Sequence, residues 1–73
     1  MALTLDKALK GHSLTIAKLP NGDIKSQLIR LGITEGLTVS CIEKLPGGTI
    51  VLRRNRQEIA LGSALAKSIE IVL

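Results

Sequence analysis

The chain has 73 residues, enough for one domain over residues 1–73 and for a core only just large enough to fold alone. Its 45% apolar content argues against disorder, yet it contains no Phe, Tyr or Trp. The core is therefore built from Leu, Ile, Val and Ala, and the aromatic grooves and base-stacking platforms that read proline-rich peptides or single-stranded nucleic acid are excluded. Ten basic against six acidic residues leave a mild excess of +4, which permits an acidic protein surface, a membrane face or nucleic acid and chooses none of them.

Residues 1–9 carry Leu3, Leu5 and Leu9 and read as a short edge strand or a docking arm. Lys7 and Lys10 are not followed by an apolar stretch of the signal-peptide kind, and no apolar run approaches the roughly 18 residues of a membrane span. With a single cysteine, no intramolecular disulfide can form, which fits a reducing compartment. A cytoplasmic protein without membrane insertion is expected. In residues 13–19, Leu14 and Ile16 alternate with Thr15 and Ala17, a strand pattern. Pro20, Asn21 and Gly22 form a turn, and Asp23 is placed to cap a helix running to Leu31. Ile24, Leu28 and Leu31 fall on one helical face, expected to be core, while Ile29 lies off it and is expected to be exposed, forming a small docking patch with Leu19 or Leu45.

Gly32 stops that helix, and Gly36 turns the chain into the next strand, residues 37–45, where Leu37, Val39 and Cys41 share a face. Pro46, Gly47 and Gly48 make a turn. Residues 49–61 read as a hairpin turning at Asn55 and Arg56, with Ile59 and Leu61 on one side. Ser63 is placed to cap a single helical turn over residues 62–68. The last residues form a strand with Ile69, Ile71 and Leu73 together. About five short strands with no alternating βαβ pattern predict a mainly β fold, a small antiparallel barrel with one inserted helix and one helical turn.

The chemistry-bearing residues are sparse. His12 and Cys41 are the two soft or borderline metal ligands, 29 positions apart with no CxxC or HxxxH spacing. Cys41 reads first as a small core residue and His12 as a loop histidine. No GxSxG, P-loop or GxGxxG groups the Ser, His and acidic residues into a mechanism, so the chain is not expected to be an enzyme and no cofactor is implied. Arg53, Arg54 and Arg56 fall within four residues at the hairpin end. They read as a solvated turn or as an anchor for an acidic partner or a phosphate, because the planar guanidinium binds carboxylate and phosphate in bidentate fashion. Nucleic acid is not expected, since it calls for more basic residues and some aromatic ones. At the corner, Ile29 and Glu35 are the neighbours of the two glycines that could face a partner.

Taken together, LTLDKALKGHSLTIAKL at 3–19, QLIRLGITEGLTV at 27–39, PGGTIVLRRNRQEIAL at 46–61 and SALAKSIEIVL at 63–73 resemble the FeoA family, small cytosolic proteins of bacterial and archaeal ferrous iron uptake. The same domain is similar to the C-terminal SH3-like domain of iron-dependent repressors, although nothing here resembles their DNA-binding part. The resemblance implies an SH3-like β-barrel with a helical insertion. It further implies an accessory or regulatory role beside FeoB, a membrane protein with a GTP-binding domain and a ferrous iron permease, and a family-level association with transition metal ions. It carries no catalytic or metal motif onto numbered positions. The expected function is protein–protein interaction with a FeoB-like partner through Ile29, Glu35, Arg53, Arg54 and Arg56. The alternatives are a divalent-metal sensor using His12 and carboxylates, and a small-barrel nucleic-acid binder; a weak homo-oligomer is compatible with all three.

Overall fold

A computed structural model describes residues 3–73. Its elements, in chain order, are β1 (Leu3–Thr4), a 3-10 turn (Leu5–Lys7), β2 (Ser13–Lys18), α1 (Asp23–Arg30), β3 (Thr38–Lys44), β4 (Ile50–Arg54), β5 (Gln57–Leu61), α2 (Ser63–Lys67) and β6 (Glu70–Val72). All six strands lie in one antiparallel sheet in the order β1-β6-β2-β3-β4-β5. The fold is mainly β with one inserted helix and one helical turn, as the strand spacing predicts. It has one strand more than about five, because the N-terminal arm contributes two residues that pair with β6 through Leu3↔Ile71 and Thr4↔Glu70. The ladder does not close on itself, so β1 and β5 are its edges.

Strand alternation sorts the side chains. Leu14 and Ile16 of β2, Val39 and Cys41 of β3, Ile50 and Leu52 of β4, and Ile59 and Leu61 of β5 all enter one buried cluster. Leu5 and Ala8 close it at one end, and Ala66 and Ile69 come from the segment around α2. Every fully buried side chain among the described residues is aliphatic or the Cys41 thiol, and no polar side chain is buried. This core therefore asks for no internal polar network and derives its stability from apolar burial alone.

The corner between α1 and β3 is stitched to β2. Ile16 donates its N–H to Leu37 O at 2.8 Å, and Gly36 returns an N–H to Ile16 O at 2.7 Å. Two ladders carry a register shift, β2–β6 between Ile16 and Lys18 and β3–β4 between Cys41 and Glu43. Such bulges bend a strand. The β4–β5 ladder has none.

Three sequence expectations change here. Asp23 is the first residue of α1, not its cap: Gly22 occupies the cap position and no side chain closes it, so Asp23 contributes only its charge near the positive end of the helix. Ser63 likewise begins α2 behind Gly62. Leu73 lies beyond β6 and is exposed, while Ile69 and Ile71 are buried as expected.

Candidate functional site

Helix α1 positions the most unusual surface. Its C-terminus ends in a pair of backbone bonds that define a glycine stop: Gly32 N–H to Ile29 O at 2.9 Å and Ile33 N–H to Leu28 O at 2.9 Å. Gly32 has φ 91°, a left-handed conformation that a glycine adopts without Cβ strain. The expected apolar face holds only at Leu28. Beyond the stop, Ile33 enters the core beside Leu28, both fully buried. Ile24 and Leu31, expected in the core, are instead 41% and 44% exposed, and Ile29 is 47% exposed as expected. Leu28 is the one buried residue of the helix. Three large apolar side chains thus face water on or beside an eight-residue helix.

The other members of the expected patch lie elsewhere. Leu19 is 2% exposed, and its N–H donates to Glu35 Oε2 at 3.1 Å. Glu35 therefore serves an N–H at the end of β2 while the residue as a whole remains exposed. Leu45 is exposed, but it sits at the β3–β4 turn, at the opposite end of β4 from the arginine hairpin.

The three arginines separate by strand geometry. On β4, Ile50, Leu52 and Arg54 share a face, and Val51 and Arg53 share the other. Arg53 lies opposite Glu58, and its Nη2 donates to Glu58 Oε2 at 2.8 Å. That pair is exposed on both sides and contributes little to stability, but it neutralises Arg53. Arg54 lies opposite Gln57 on the same strand face as Ile50 and Leu52, is exposed, and brings its guanidinium beside Gly32. A Cβ at Gly32 would lie 3.7 Å from Arg54 Nη1 and 4.0 Å from Gln57 Oε1. The guanidinium is thus parked beside the carbonyl-rich end of the helix, where positive charge is favourable. Arg56 is exposed in the turn after Asn55, whose φ of 55° an asparagine tolerates better than most residues. The structure therefore brings Ile29 and Leu31 to one corner with Arg54, and places Arg53 on the outer face. Sequence spacing could have signalled this split, since 53 and 54 must point to opposite sides of a strand.

His12 and Cys41 are neighbours through their backbones: Cys41 N–H donates to His12 O at 2.8 Å, and Gly11 N–H donates to Cys41 O at 2.7 Å. Their side chains have other partners. His12 Nδ1 accepts the N–H of Leu9 at 3.1 Å, and the Cys41 thiol contacts Glu43 O at 3.7 Å. Cys41 is fully buried, as its strand position predicts, and burial pushes its thiol up, away from the thiolate that binds metals. Among the described residues, no group of three or more His, Cys, Asp or Glu is arranged to hold a metal ion. A shallow depression of about 290 Å³ lies along the polar flank of α1, lined by Asp23, Ser26, Gln27 and Arg30. It lacks the apolar lining typical of small-molecule sites. No helix of the described residues is long and apolar enough to cross a membrane.

A family model for the FeoA domain matches residues 3–73. The crystal structure of an iron uptake regulatory protein (FeoA) is 24% identical, with 97% of this chain and 96% of that chain covered and a TM-score of 0.85. A FeoA-like protein from Clostridium acetobutylicum, solved by NMR, is 20% identical over 99% of this chain and 86% of its own, with a TM-score of 0.85. The fold also recurs within a manganese-dependent transcriptional repressor, at 22% identity and a TM-score of 0.86; 97% of this chain is covered but only 41% of the repressor. No curated protein sequence matches the chain. With a family model spanning nearly its whole length and whole-chain likeness to FeoA structures, the chain belongs to the FeoA family.

Proposed function

We propose that this protein is a non-enzymatic, cytoplasmic accessory or regulatory module of ferrous iron uptake that binds the cytosolic part of a FeoB-like GTPase and permease. The family supplies the link to ferrous iron transport. The observation that carries the interaction is the exposure of Ile24, Ile29 and Leu31 around α1, with the Arg54 guanidinium beside Gly32 at the end of that helix. Apolar side chains rimmed by arginine have the composition of a protein interface: a desolvated centre for affinity and guanidinium groups for acidic counterparts. Glu35 sits at the same corner in sequence and offers a rim carboxylate.

The test is calorimetric titration of the purified protein into the soluble cytosolic region of a FeoB-like transporter, loaded in turn with GDP and a non-hydrolysable GTP analogue. Binding in the micromolar range is expected, weakened at least tenfold by Leu31→Asp or Arg54→Glu, a loss of about 1.4 kcal/mol or more. A flat titration at tens of micromolar in both nucleotide states refutes the reading.

A further inference from the structure

The two edges of the sheet are unequal. β1 is two residues long, whereas β5 spans five and pairs without a register shift along its whole length. The turn between β4 and β5 has two residues, so its flanking pair, Arg54 and Gln57, exchanges hydrogen bonds. By the alternation of an antiparallel ladder, Ile59 and Leu61 also bond to β4. Glu58 and Ala60 then direct their N–H and C=O groups away from β4. Among the described residues β5 pairs with β4 alone, and none of these four groups meets another backbone group.

Exposed edges are usually blunted by lysine, proline, a bulge or brevity. β5 has none of these. The side chain at Ala60 is small, and the one charge, Glu58, is already held by Arg53. The edge is regular, accessible and uncommitted.

The charge around it indicates what it takes. Beside the end of β5 lie Arg54 and Arg56, and Glu58 balances Arg53 only. A second copy would bring a second +4 chain and a second arginine turn to this edge, and five paired residues fall well short of the area a stable dimer needs. An acidic extended segment meets the same edge with attraction. We infer that β5 accepts an extended acidic segment of the protein partner as a seventh strand, its backbone bonding to Glu58 and Ala60 and its carboxylates meeting Arg54 and Arg56. This inference rests on the partner reading above and names the mode of binding.

The experiment is residue-resolved amide exchange by NMR on the full chain, free and saturated with the soluble cytosolic region of a FeoB-like transporter. Exchange at Glu58 and Ala60 is expected to slow at least tenfold, with a smaller change at Ile59, whose N–H already bonds to β4. Ala60→Pro removes one free donor at an edge position that tolerates proline, and is expected to weaken binding at least tenfold; if that variant does not fold, the exchange data decide alone. A complex in which Glu58 and Ala60 exchange as in the free chain overturns the inference and leaves the partner reading standing. Protection that rises with concentration of this chain alone overturns it in favour of a second copy. No complex at all overturns both readings.

Discussion

Leu28 and Ile29 are adjacent in sequence and should respond to truncation in opposite ways. Leu28 is fully buried, so Leu28→Ala removes its apolar burial and leaves a cavity, a cost of about 2–5 kcal/mol. Ile29 is 47% exposed. Full burial of such a side chain is worth about 1.5–3 kcal/mol, so Ile29→Ala loses roughly half of that at most, about 1.5 kcal/mol or less. A chain of 73 residues has a total stability of about 4–11 kcal/mol. Leu28→Ala therefore takes a large share of it, and Ile29→Ala a small one. Without aromatic residues there is no tryptophan or tyrosine fluorescence to follow, so far-UV circular dichroism in urea is the assay. With a slope of about 1 kcal/mol per molar, Ile29→Ala moves the midpoint by about 1.5 M or less, and Leu28→Ala by about 2 M or more. Binding to the transporter should reverse the order among folded protein, with Ile29→Ala weakening it about tenfold. Equal midpoint shifts for the two variants would refute the placement of the helix. An unchanged affinity for Ile29→Ala would refute the assignment of its outer face.

Three further outcomes follow from the same geometry. Gly48→Ala should cost more than Gly32→Ala in thermal melts: both positions carry the left-handed penalty of about 1–2 kcal/mol, but a Cβ at Gly48 would lie 2.8 Å from Ser63 Cβ, which is fixed to the backbone, whereas at Gly32 it makes ordinary contacts. The Cys41 thiol, raised by burial, should resist alkylation in the native state; its stabilising preference is intact below the ordinary thiol value of 9.0 and is lost as pH rises above it, because the unfolded chain ionises first. The stability read from urea unfolding should therefore fall at alkaline pH by up to about 1.4 kcal/mol per pH unit, and Cys41→Ala should remove that component. A double-mutant cycle on Arg53 and Glu58 should return a coupling of about 0.5 kcal/mol or less, since both side chains are about half exposed.

Much of the architecture is legible in short-range patterns. The alternation in residues 13–18, 38–41 and 57–61 gives strands and their buried faces, because a period of two is local and the core needs only to agree with it. The hairpin at Asn55 and the stop at Gly32 follow from single-residue conformational limits. What fails is the side of α1. Leu31 keeps a helical backbone yet is exposed, and it is Ile33, beyond the positive φ of Gly32, that is buried. Which of the two is buried is a tertiary matter. The same holds for Leu19, whose burial depends on Glu35 accepting its N–H across sixteen residues. The arginine cluster is visible as composition and its split across the strand as alternation, whereas the neutralisation of Arg53 by Glu58 needs the register of β4 on β5.

The sheet order has a kinetic meaning. β6 is inserted between β1 and β2, so among the described residues it is β6 that joins the N-terminal strand to the remaining ladder. Until they are in place, β2 is an open flank and β1 has no partner at all. Assembly cannot proceed hairpin by hairpin to completion; it waits on a contact between the beginning and the end of the described chain. Such long-range closure slows folding. It also makes the domain all-or-none, since unzipping β6 releases two strands at once and exposes Ile71 and the flank of β2 at Thr15 and Ile16 that it pairs with.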